Sequence, residues 1–114
     1  GTGAPRREFM HVDDVADAVV FLMERYDDEL FVNVGTGEDI TIGDLARLVS
    51  EVVGFQGQLV FDSSKPDGTP RKLMDTSRLS ALGWKPRIPL REGVTRTYAW
   101  FLEHVAPGID AQAD

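Results

Sequence analysis

The stretch Asp62-Ser63-Ser64-Lys65-Pro66-Asp67-Gly68-Thr69-Pro70-Arg71-Lys72 decides how this chain is read. It follows an apolar run, Leu59-Val60-Phe61, with the look of a buried strand, and it holds three cations, two prolines and a glycine. Proline fixes φ and glycine permits tight bends, so the segment should be a shaped loop. A shaped loop carrying Lys65, Arg71 and Lys72 is suited to clamp a phosphate.

The charge distribution bears on the same loop. The 114 residues carry a formal net charge of −7, yet residues 63–91 hold seven cations and two anions, and the rest five cations and seventeen anions. A basic segment inside an acidic chain points to a local anionic ligand, although charge alone fits a solvated basic surface better. The overall acidity argues against a general nucleic-acid binder. The length allows at most one small domain with a modest core. There is no cysteine, hence no disulfide framework and no thiolate metal site. No apolar run approaches membrane-spanning length and no signal peptide opens the chain. The first residue is Gly1 rather than Met, so a processed product or an excised piece is expected.

Outward from the loop, helical and extended patterns alternate. Glu8 to Val12 reads as a strand end, and Asp13 or Asp14 as the cap of a helix with Val15, Val19, Leu22, Met23 and Tyr26 on its apolar face. Phe31–Val34 reads as a strand and Gly35-Thr36-Gly37 as a turn. Thr41 with Asp44 resembles a capping box, and Ile42, Leu45, Leu48, Val49, Val52 and Val53 form a helical face that stops at Gly54. Gln58–Phe61 is the second strand. Strand, helix, strand implies a parallel pair with a right-handed crossover. Thr76–Leu82 suits a short helix, and Leu90, Val94, Tyr98, Phe101 and Val105 a final amphipathic one. The expected architecture is α/β, with a short parallel strand pair and about four helices in residues 1–106. Residues 107–114 should form a flexible acidic tail.

Several motifs read as structure rather than chemistry. Gly35-Thr36-Gly37 fails as a dinucleotide fingerprint, because the third glycine position is Ile40 and the helix starts only after Thr41. His11 and His104 lack metal-spaced companions. Asp13, Asp14 and Asp17 are explained by capping and the helix dipole. Trp84 and Trp100 read as core. Of Arg6-Arg7, one arginine can serve a diphosphate through its planar fork. Asp67, between Pro66 and Gly68, is either a turn former or an acceptor for sugar hydroxyls or a base edge. A Tyr-x-x-x-Lys pair is missing: Tyr26 is followed at that spacing by Leu30 and Tyr98 by Leu102. No catalytic residue is assigned.

Gly3-Ala4-Pro5-Arg6-Arg7-Glu8-Phe9-Met10-His11-Val12-Asp13-Asp14, Asn33-Val34-Gly35-Thr36-Gly37, Val60-Phe61-Asp62 with Ser64-Lys65-Pro66-Asp67-Gly68-Thr69-Pro70-Arg71-Lys72, Leu82-Gly83-Trp84 and Tyr98-x-Trp100-Phe101-Leu102-Glu103 resemble the C-terminal half of the GDP-L-fucose synthase family, extended short-chain dehydrogenases/reductases. The resemblance spans roughly Gly1 to Glu103. It implies a cytoplasmic parent, commonly a homodimer, that epimerises GDP-4-keto-6-deoxy-D-mannose at C3 and C5 and reduces C4 with NADPH. The NADP(H)-binding Rossmann domain and its catalytic residues would lie outside this chain, which alone should bind no cofactor and catalyse nothing. The expected partners are a GDP-sugar and that missing domain, with no nucleic acid and no membrane. The helices that should pack on that domain would leave an apolar patch exposed. By resemblance, Arg7 and Asp67 bind substrate, with Arg71, Lys72 and Lys65 as diphosphate neighbours. A UDP- or dTDP-sugar epimerase or dehydratase, and a non-catalytic nucleotide-sugar-binding or assembly module, remain alternatives.

Overall fold

A computed structural model describes residues 1–110. In chain order the elements are β1 (Arg6–Arg7), α1 (Val12–Arg25), β2 (Ile40–Thr41), α2 (Ile42–Val53), β3 (Arg71–Lys72), α3 (Ser77–Ala81), α4 (Leu90–His104) and α5 (Ala106–Asp110). The α/β class holds, with five helices and a three-stranded mixed sheet in the order β2-β1-β3 among the described residues. β1 pairs antiparallel with β2, Arg6 opposite Thr41, and parallel with β3, Arg6 opposite Arg71 and Arg7 opposite Lys72. The Arg6 N–H donates to Pro70 O at 2.8 Å.

The parallel pair is therefore built from other residues than the sequence pattern indicates. Phe31–Val34 and Gln58–Phe61 enter no ladder. Val60 is 84% exposed rather than buried. The physical reason lies in Phe61 and Gly3. Gly3 has φ +80°, and a Cβ there would lie 2.5 Å from the Phe61 ring. The ring thus packs against glycine backbone, a side-chain fit where a strand would need a hydrogen-bonded neighbour. Val32 and Val34 pack singly against the core.

That core is small. Ala18, Leu79 and Trp84 are buried, with Met10, Phe21, Leu22, Val32 and Val34 packed around them. The Trp84 indole Nε1–H donates to Asp17 Oδ2 at 2.8 Å, which satisfies its polar edge. Trp100, also expected in the core, is exposed and stacks on His104, with ring centroids 4.9 Å apart. It sits one turn before His104 on α4, so a local stack covers one ring face with no second layer above it.

The start of α1 also differs from expectation. Its cap is His11, whose Nδ1 accepts the Asp13 N–H at 3.1 Å. Asp14 turns inward to 3% exposure, where Oδ2 accepts the N–H groups of Arg87 (3.0 Å) and Ile88 (2.9 Å). The reason is donor demand: the link between α3 and α4 forms no regular structure, so the part-buried N–H groups of Arg87 and Ile88 take a side-chain acceptor. Only one apolar side of α1 is covered. Ala18, Phe21 and Leu22 face the core, whereas Val12, Val15, Val19, Val20 and Met23 are exposed, in agreement with an exposed apolar patch.

The other helix boundaries follow the sequence signals. Thr41 Oγ1 accepts the Asp44 N–H at 3.0 Å and donates to Asp44 Oδ2 at 2.8 Å. Gly54 closes α2 with φ +74°, a conformation glycine adopts without a Cβ penalty. Residues 111–114 of the expected tail lie outside the described residues, and its first part lies in α5.

Candidate functional site

β1 places Arg7 beside the 62–72 segment because Arg6 pairs with Arg71 and binds Pro70. The result is a cleft of ≈ 390 Å³ whose walls include Gly3, Pro5, Arg7, Ile42, Phe61 and Asp67. Arg7 and Asp67, far apart in sequence, thus face one concavity. Arg7 Nη1 donates to Arg6 O at 2.6 Å and Thr69 O at 2.7 Å. Nη2 lies 3.1 Å from where a Gly68 Cβ would sit, so glycine there leaves room for the guanidinium. Nε and Nη2 have no protein acceptor among the described residues, which leaves donors for an anionic ligand.

Asp67 is anchored at the other side of the cleft. Its Oδ1 accepts the Thr2 N–H at 2.7 Å and its Oδ2 the Thr2 hydroxyl at 2.5 Å. The Thr2 hydroxyl, then the Thr2 N–H, hold its carboxyl below the ordinary 3.8, so it is ionised at neutral pH. An ionised carboxylate has about four acceptor sites. Two are used here, so the turn-forming and hydroxyl-accepting roles are compatible.

The remaining predicted residues sit around the loop rather than in the cleft wall. The Lys65 N–H donates to Asp62 O at 3.2 Å, and Asp62 Oδ1 accepts the Ser64 N–H (3.0 Å) and hydroxyl (2.5 Å), which shapes the turn. Arg71 Nε donates to Asp39 Oδ2 at 2.5 Å, and Arg6 Nε to Asp39 Oδ1 at 2.8 Å. The Asp39 side chain is 3% exposed, and Arg71, then Arg6, hold its carboxyl below the ordinary value. Lys72 is the register partner of Arg7. Thr2 and Asp39 were not picked out by sequence reasoning. Each acts across a long sequence separation, and no local pattern marks either.

Other candidate features are structural. The Gly35-Thr36-Gly37 turn is filled by the protein's own carboxylate: Glu8 Oε2 accepts the Gly37 N–H at 2.6 Å and the Thr36 hydroxyl at 3.4 Å. A carboxylate in that position repels a pyrophosphate, so this turn does not fit NADP(H). A second concavity of ≈ 430 Å³ between α2 and α4 is lined by apolar side chains such as Leu45, Val49, Val94 and Phe101. Among the described residues no cluster of three or more His, Asp or Glu could hold a metal, and no helix is long and apolar enough to cross a membrane.

An arginine and an anchored aspartate thus line one cleft at the rim of a small α/β unit. Residues 1–43 match the NAD dependent epimerase/dehydratase family. Within that class the chain is similar to the GDP-L-fucose synthases. It is 64% identical over 105 residues to the probable GDP-L-fucose synthase 1 of Oryza sativa subsp. japonica, covering 92% of this chain and 32% of that protein. A GDP-L-fucose synthetase from Naegleria fowleri bound to NADP superposes with a TM-score of 0.86 at 29% identity, covering 90% of this chain and 33% of that one. A GDP-6-OMe-4-keto-L-xylo-heptose reductase from C. jejuni gives 0.82 at 41% identity, covering 90% and 32%. The chain thus spans about a third of the length of the relatives it matches.

Proposed function

We propose that this chain is the GDP-sugar-holding part of a GDP-L-fucose synthase, which epimerises GDP-4-keto-6-deoxy-D-mannose at C3 and C5 and reduces C4 with NADPH. The observation that carries this reading is the meeting of Arg7 and Asp67 at one cleft. The free donors of Arg7 suit a diphosphate, since a planar guanidinium can make two parallel hydrogen bonds to phosphate oxygens. Asp67 accepts hydrogen bonds from hydroxyls of the sugar or from the base edge. Lys65, Arg71 and Lys72 raise the local positive potential that draws the anion in. The cofactor supplies hydride and is held by residues other than these. The portion of the relatives beyond this chain would provide that site and cover the exposed side of α1. The chain by itself is expected to oxidise no NADPH when given the keto-sugar, and oxidation would refute that part of the proposal.

The direct test is calorimetric titration of the chain with GDP, UDP and dTDP. Saturable binding that prefers GDP, and weakens about tenfold or more in Arg7→Ala through loss of a charge-assisted hydrogen bond, supports the reading. Asp67→Ala should weaken it as well. Preference for UDP or dTDP, or affinity unchanged in both variants, overturns it. The similarity to the heptose reductase favours a second reading, in which the nucleotide is the same and the sugar differs. Comparing GDP-L-fucose with a GDP-heptose as competitors of GDP separates the two.

A further inference from the structure

The three strands of the sheet are two residues each, and so few ladder hydrogen bonds fix their register weakly. One buried carboxylate reinforces all three. Asp39 immediately precedes β2, binds Arg6 on β1 through Oδ1 and binds Arg71 on β3 through Oδ2. Its backbone carbonyl also accepts from Arg6 Nη2 at 3.2 Å. Arg6 and Arg71 are register partners, so their side chains share one sheet face, the face Asp39 occupies. Alternation along a strand sends Arg7 and Lys72, the next pair in register, to the opposite face. We propose that Asp39 is a positioning residue for anion binding: by tying Arg6 and Arg71 together on one face, it holds Arg7 and Lys72 side by side on the other.

This inference rests on the reading of the cleft as a diphosphate site. It also gives Arg71 a specific part. A guanidinium whose Nε is held by an almost fully buried carboxylate is a strut, and that one negative charge, shared with Arg6, offsets only part of the pair's positive charge. Electrostatics alone distinguish this from the simpler idea that Arg71 grips the diphosphate. If Arg71 gripped the ligand, removing the Asp39 charge would free its fork and strengthen binding. If Arg71 is a strut, the same change loosens β3 and weakens binding.

The experiment compares the wild-type chain with Asp39→Asn, Arg71→Ala and the double variant, titrated with GDP and with inorganic pyrophosphate. Side-chain NMR of the arginine Nε–H and lysine Nζ groups is recorded on the same samples, and thermal scans establish that each is folded at the assay temperature. Asp39→Asn should weaken both ligands about tenfold, the effect of one lost charge-assisted hydrogen bond. Arg71→Ala should do the same, and the double variant should lose no more than either single one. The Arg7 and Lys72 signals should shift in Asp39→Asn although neither touches Asp39, a response that mere loss of stability does not produce. Tighter binding in Asp39→Asn, additive losses in the double variant, or unmoved Arg7 and Lys72 signals would each overturn the proposal. If the wild type binds neither ligand, the diphosphate reading fails; the Arg7 and Lys72 signals then still decide whether Asp39 positions them.

Discussion

Replacing Asp14 by alanine tests how the fold is held behind the site. Asp14 is 3% exposed, and one oxygen accepts two backbone N–H groups, from Arg87 and Ile88, at 3.0 and 2.9 Å. Alanine removes the acceptor and leaves both part-buried donors without a protein partner. Hydrogen bonds to a charged group contribute about 1.5–3 kcal/mol each, and the two share one oxygen and are not independent. The expected loss is therefore about 2–4 kcal/mol, a large fraction of the ~5–15 kcal/mol typical of a small domain. For a chain of this size it corresponds to a fall in Tm of roughly 10–25 °C. Urea titration should show the midpoint falling with little change in slope, since the surface exposed on unfolding is unaltered. Asp14→Asn keeps an acceptor oxygen of the same shape without the charge, and should lose about half as much. A loss below about 0.5 kcal/mol in Asp14→Ala, within the range of ordinary surface changes, would refute the reasoning, because it would mean that water reaches both donors.

Two further outcomes follow from other parts of the molecule. Asp39, Asp44, Asp62, Asp67 and Asp75 all have carboxyls held below 3.8 by their partners, Arg71 foremost for Asp39 and Thr2 for Asp67. A depressed carboxylate stabilises the fold above its unfolded pKa, and that contribution is lost as pH falls through the folded value. Thermal scans should therefore be flat with respect to these groups well above pH 3.8 and decline below it, and Asp67→Asn should make the decline shallower; an unaltered slope counts against the Thr2 contacts. Met23, 79% exposed on the uncovered side of α1, should tolerate Met23→Ser with a change within about 0.5 kcal/mol in chemical denaturation of this chain. A larger loss would mean that side is packed.

The sequence made α1 to α4 legible through apolar period and turn residues, whereas α5 falls mostly in the stretch read as a flexible tail. Thr41 and Gly54 bracket α2, and the apolar period of α4 lies within one segment. The sheet was not legible, because its strands are only two residues each; Arg6–Arg7 and Arg71–Lys72 are wholly charged, and Ile40–Thr41, though β-branched, is too short to show a period. Phe31–Val34 and Leu59–Phe61 carry the pattern of a strand and form no ladder, since nothing local says whether a neighbouring strand exists. The cap of α1 was misassigned for a related reason: Asp14 has the composition of a cap, yet its partners, Arg87 and Ile88, lie far along the chain.

The same contrast separates the two kinds of site residue. The residues alone mark the Arg6-Arg7 pair and the proline-glycine turn around Asp67; the choice of Arg7, and of a binding role for Asp67, comes from the family resemblance. What gives them a common cleft is a set of long-range ties: Thr2 to Asp67, Arg6 to Pro70, and Asp39 to both Arg6 and Arg71. Each tie joins the segment before α1 to the 62–72 segment, or braces one of them through the residue before β2. On the proposed reading of the cleft, anion binding would depend on closure between two distant segments more than on the cations themselves. Variants that weaken a tie without touching a cation, such as Thr2→Val, should reduce anion affinity while leaving the net charge unchanged. A purely electrostatic patch would be indifferent to that substitution.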